Sequence, residues 1–242
     1  MFTVELGVPF NSVAWVVGAA GTLLLSYKSY KNWQKNQDPF SKYLAWFGLV
    51  TGIGLAFLGI PPILSSDETW LRIPYLIGQD LVFLGFLVQA RIVWWLYLHN
   101  KMSFGVPALV TAIPLLYASS QAWMGSMVDR QPDFVTFVQP REVTVILGAT
   151  LLVLFVATGL FFLWQVRRQA SALAKIKASV IGMTYVIIGL SVGGHNLFYG
   201  YGTTPLSTVF NLGFFIALII SLLMPKVTQQ EHQVQLKSGQ PS

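Results

Sequence analysis

Apolar residues along this chain fall into runs of hydrocarbon length, separated by short polar breaks. A bilayer core about 30 Å thick takes roughly 20 residues of α-helix, and seven stretches meet that requirement: 12–30, 43–64, 70–98, 104–124, 142–166, 178–199 and 205–225. The pattern predicts an all-α integral membrane protein, a seven-transmembrane helix bundle over residues 1–225. A polar, Gln-rich tail over 226–242 is expected to be disordered and cytoplasmic. The fourth stretch carries Pro107 and Pro114, which membrane helices tolerate where neighbours satisfy the freed carbonyls. In the break before the fifth stretch, the alternation Phe134-Val135-Thr136-Phe137-Val138 between Pro132 and Pro140 predicts a short hairpin or a segment dipping into the interface.

The polar breaks give the expected orientation. One alternating set holds Lys28, Lys31, Lys35, Lys42, Lys101, Arg167, Arg168, Lys175, Lys177, Lys226 and Lys237. The other holds only Arg72, Arg130 and Arg141 among several acids. Basic residues mark cytoplasmic loops, so an odd number of spans with the N-terminus outside and the C-terminus inside is expected. Trp33, Trp94, Trp95 and Trp164 near the inner ends, and Trp70 and Trp123 near the outer ends, suit the headgroup level.

Composition sharpens this picture. Hydrophobic residues make up 54% of the chain and charged residues 10%, against roughly 25% charged in soluble domains. The net charge of +6 lies in the breaks rather than along one face, so it reads as a topology signal and not as a nucleic-acid surface. With no cysteine, disulfides, thiolate-held metals and a cysteine nucleophile are excluded. Met1 to Ser12 contains Glu5 and no basic run, so no cleavable signal peptide is expected.

Lys42, Gly54, Gly59 and Gly78 recur as Lys177, Gly189, Gly194 and Gly213 at a constant spacing of 135 residues. That suggests a 3+1+3 parallel repeat, an organisation known among small transporters. Gly48-x-x-x-Gly52 and Gly189-x-x-x-Gly193 suit close helix crossings.

An ionisable group at membrane depth is a functional candidate by default. Asp80 and Arg91 share a face of the third helix with Leu76, Leu84 and Leu87, while Gly78, Gly85 and Gln89 take the opposite face. Arg91 lies near enough to the inner leaflet to snorkel. At the depth of Asp80 the sixth helix offers His195, Asn196, Ser191 and Thr184, and the seventh Asn211 and Ser207; Gln79 and Tyr75 are close by. Convergence of these faces would make an outward-facing polar pocket for a small ligand or a proton, with Asp80 as charge centre and His195 titrating near neutral pH. Interhelical hydrogen bonding is the alternative role for the same residues.

Several chemistries lack their residues. A covalently bound retinal needs a lysine within the last helix, and 206–225 contains none; a bis-histidine haem needs two histidines at one depth, and His99, His195 and His232 are spread along the axis. No cofactor and no metal site is expected, and neither H-E-x-x-H nor a phosphate loop occurs, so nothing supports an enzyme. Tyr27-Lys28-x-x-Lys31 closing the first helix and Ser41-Lys42-Tyr43-x-x-Trp46-Phe47 opening the second resemble the seven-helix sensory regions that precede prokaryotic histidine kinase domains. The resemblance implies a prokaryotic plasma-membrane protein that signals to a separate cytoplasmic partner, because only a short tail follows the last helix. Three readings are ranked in this order: a stand-alone sensor or receptor, an ion or small-solute carrier using Asp80 as coupling carboxylate, and a structural subunit of a membrane complex.

Overall fold

The computed structural model describes residues 8–98, 101–131, 133–169, 171–198 and 205–223. The helices are α1 (Phe10–Asn36), α2 (Pro39–Gly59), α3 (Pro61–Leu64), α4 (Glu68–Tyr97), α5 (Gly105–Gly125), α6 (Arg141–Val166), α7 (Ala172–Ile188), α8 (Gly194–Phe198) and α9 (Pro205–Leu223). A π turn, Gly189–Gly193, joins α7 to α8. Five of these units are long and apolar enough to cross a membrane: α1, α2 with α3, α4, α6, and α7 continued to Leu197. The two remaining long helices are α5, with 21 residues, and α9, with 19. The expected tail lies outside the described residues, as do His99 and His232.

Local chemistry sets the helix boundaries. α1 runs past the expected limit to Asn36 and stops where Gln37 takes a left-handed conformation at φ 53°. Asp38 then caps α2, its carboxylate accepting from the amides of Phe40 and Ser41, with Pro39 opening the helix. Asp67 caps α4 in the same manner through Thr69 and Trp70, and Ser171 caps α7 through Ala174.

The anticipated hairpin forms. Strand β1 (Met127–Arg130) pairs antiparallel with β2 (Val135–Val138), with Val128 opposite Phe137. It is tied to the start of α1 by Asn11, whose amide donates to the Val135 carbonyl at 2.6 Å and accepts from the Val135 amide at 3.2 Å. Arg130 extends the fastening through its own amide to Glu68 and through its guanidinium to the Pro62 carbonyl. The hairpin therefore covers the end of the bundle opposite the lysine-rich connections.

Helices pack through glycine. A Cβ at Gly48 would lie 2.6 Å from the Thr22 carbonyl oxygen of α1, and one at Gly54 or Gly78 would lie 2.8 Å from the other's carbonyl oxygen across α2 and α4. The small-residue face read on the third helix thus meets α2, where Gly85 sits against Thr51. In the second half Gly182 meets the Gly159 carbonyl, and Gly193 meets that of Gly148. The glycines spaced by 135 do not make equivalent contacts, since Gly54 and Gly78 touch each other whereas Gly189 packs on α6 and Gly213 has nothing within 4 Å. Similar close approaches are made by Gly48 on Thr22 and Gly182 on Gly159, and by Gly59 on Ser12 and Gly193 on Gly148; the glycines of α2 and of the α7 unit are 134 residues apart, their partners 137 and 136.

A methyl group at Gly48 has only backbone to push against, so Gly48→Ala is expected to cost about 1–3 kcal/mol. Gly213→Ala is expected to be neutral or stabilising, because it reduces backbone freedom with no clash. Thermal unfolding of the two variants in detergent checks the contrast.

Candidate functional site

Six helices surround an internal cavity of about 210 Å³. The wall from α4 is the stripe Tyr75, Gln79, Val82, Phe83 and Phe86, spaced as one helix face. Eleven residues at 1.5 Å each give the chamber a length of about 16 Å. The hairpin roofs one end: Phe137 stacks on Tyr75 with ring centroids 3.7 Å apart and planes 8° apart, and Trp15 lies 5.7 Å from Phe137. At the other end Tyr185 sits among Phe47, Phe155 and Phe162. Tyr185 is tilted against Phe47 and Phe155 and near-parallel to Phe162.

No Asp, Glu, Lys, Arg or His lines the chamber among the described residues. Its polar groups are amides and hydroxyls. Gln79, Gln139, Asn196 and Asn211 lie toward the hairpin, and Thr51, Thr184 and Tyr185 toward the opposite end. Some are satisfied within the protein. Gln139 donates to the Gln79 side-chain oxygen at 2.7 Å, Asn196 donates to the Val192 carbonyl, and Thr184 to that of Val180. Four buried atoms have no hydrogen-bond partner among the described residues: Thr51 Oγ1, Gln79 Nε2, Tyr185 Oη and Asn211 Oδ1. All four residues are at most 7% exposed.

Of the candidates read from the sequence, Tyr75, Gln79, Asn196 and Asn211 come together on this chamber. Asp80 does not. Its two carboxylate oxygens accept from Ser119 Oγ at 2.6 Å and from the Trp123 indole N–H at 2.8 Å, both on α5. The expected charge centre is a strut between α4 and α5, reinforced where Arg72 donates to the Trp123 carbonyl. The physical reason is the helix period: adjacent residues are turned by about 100°, so when Gln79 faces the chamber Asp80 faces the next helix. His195 and Ser191 are also absent from the chamber wall, although Ser191 Oγ is buried without a partner among the described residues. In a regular helix, position 195 follows Thr184 on one face; the π turn inserts one extra residue and brings Asn196 there instead. The side chain of Ser207 lies outside the described ones.

Arg91 lies away from the chamber, its guanidinium over the rings of Trp94 and Phe104 at 4.2 and 4.5 Å and bonded to the Tyr43 hydroxyl. An aromatic cage of this kind stabilises a guanidinium through cation–π contacts. The sequence reading missed Thr51, Gln139 and Tyr185. A tyrosine hydroxyl deep in an apolar helix is a legible signal, because such a group needs a partner when buried. The chain matches no protein-family model and no curated protein.

Asp80→Leu is expected to strand the Ser119 hydroxyl and the Trp123 indole N–H, costing about 1–3 kcal/mol. Hydrogen exchange should accelerate in α5 while the aromatic end of the chamber at Tyr185 stays protected. Equal acceleration in both regions would contradict a local strut.

Proposed function

We propose that this chain is a seven-helix membrane sensor that binds a small ligand in the central chamber and passes its occupancy to a cytoplasmic partner. The observation that carries the reading is that three residues of a mostly apolar wall, Gln79, Tyr185 and Asn211, each hold a buried polar atom with no partner among the described residues. Leaving a buried donor or acceptor unmade costs about 1–3 kcal/mol. A cluster of such groups around one void is a binding-site signature rather than packing.

In this reading α5 and α9 complete seven passages with the five long apolar units. The hairpin end is then outside, and the end bearing Lys28, Lys31, Lys42, Arg167, Arg168 and Lys175 is cytoplasmic, by the positive-inside rule. The glycine-mediated crossings of α1 with α2 and of α6 with α7 are of the kind a duplicated origin would leave. The resemblance to sensory regions ahead of histidine kinases points the same way. A carrier coupled through Asp80 would need that carboxylate on the chamber, whereas it is spent on Ser119 and Trp123.

The cysteine-free background makes the test direct. Ser171→Cys is expected to react with an impermeant thiol reagent only from the cytoplasmic side, and Asp133→Cys only from outside. Leu151 lines the chamber at 6% exposure, so Leu151→Trp imitates an occupant. It is expected to change the labelling rate of Ser171→Cys severalfold. Labelling of both cysteines from one side would overturn the topology, and an unchanged rate would overturn the signalling.

A further inference from the structure

We infer that the chamber takes an uncharged, flat, ring-containing ligand bearing hydrogen-bonding oxygens at its ends, the chemistry of a naphthoquinone ring. The inference rests on the receptor reading of that same chamber and names its ligand class. Three observations support it.

The first is charge. With no ionisable Asp, Glu, Lys, Arg or His on the wall among the described residues, a charged solute would lose its hydration without a counter-charge, at a cost of several kcal/mol per ion. A neutral ligand pays no such penalty, and it can partition from the bilayer. The second is shape. Tyr75 and Phe137 at one end, and Phe47, Phe155 and Tyr185 at the other, present ring faces and edges to an elongated space, which suits a planar π-system. The volume of about 210 Å³ exceeds the roughly 150 Å³ void that accepts benzene, so two fused rings are the appropriate scale. The third is the polarity of the free atoms. Gln79 Nε2 is a donor on the hairpin side, and the Tyr185 hydroxyl can donate from the other side, while the Thr51 hydroxyl is turned to Gly85 at the α2–α4 crossing. Carbonyl oxygens on opposite edges of one ring system would accept from both ends. Asn211 Oδ1, an acceptor without a donor among the described residues, would take a hydroxyl on the same ligand.

The experiment compares three probes by calorimetric titration into the purified protein, with protein-free detergent as the blank. The probes are 2-methyl-1,4-naphthoquinone, 2-methylnaphthalene, which has the rings without the oxygens, and 1-naphthoate, which carries a charge. The quinone is expected to bind at least about tenfold more tightly than either. Tyr185→Phe removes one unpartnered hydroxyl and is expected to narrow that advantage by about tenfold while leaving the unliganded protein as heat-stable as before or more so. A structural hydroxyl would give the opposite sign in stability. Gln79→Met provides an independent second anchor.

Equal affinity for the quinone and the hydrocarbon overturns the proposal, as does failure of the quinone to bind. Preference for 1-naphthoate overturns this ligand class while leaving a small-molecule receptor intact. The receptor reading falls separately, if Leu151→Trp leaves the cytoplasmic labelling unchanged.

Discussion

Hydrocarbon offers no hydrogen-bond partner, so each polar group within this bundle must find one in the protein or carry a cost. That demand sorts the polar residues into two populations. Those with partners act as struts: Asp80 to Ser119 and Trp123, Gln89 to Thr158, Asn11 to both backbone groups of Val135. Of those without partners among the described residues, three belong to Gln79, Tyr185 and Asn211, which line one void. The same constraint explains the glycine crossings, since without a hydrophobic drive between helices in lipid, association depends on close backbone contact. Gly48, Gly54, Gly159 and Gly182 supply it at the α1–α2, α2–α4 and α6–α7 crossings.

The hairpin connects architecture to site. It is short, and its two strands would not hold together alone in water. Here it is anchored by Asn11, Glu68 and Pro62 and turns Phe137 inward to stack on Tyr75. Gln139, just beyond β2, then reaches Gln79. One surface connection thereby supplies an aromatic roof and a polar contact to a chamber built by helices distant in sequence.

Much of the fold was legible in the sequence because apolar run length and glycine placement carry it. The helices begin where Asp38, Asp67 and Ser171 can cap them, and the alternation from Phe134 to Val138 does become a strand paired with its neighbour. The site was only half legible. Gln79, Tyr75, Asn196 and Asn211 are on the chamber, yet attention to charge favoured Asp80, whose neighbour on the helix carries the cavity face. Thr51 and Tyr185 escaped notice because their significance lies in lacking partners, a property of the assembled bundle. The repeat pattern is not fixed for a related reason: abundant glycine allows several registers, and the contacts at Gly48 and Gly182 select no single spacing.

The π turn at Gly189–Gly193 has a consequence for how this chamber can change over evolutionary time. The surplus residue sits between two faces already in register, because excising it would restore regular winding and leave Asn196 eleven positions after Thr184, on the same face. A single-codon deletion there would therefore keep an amide facing the void, so the chamber's neutral wall tolerates loss of that residue.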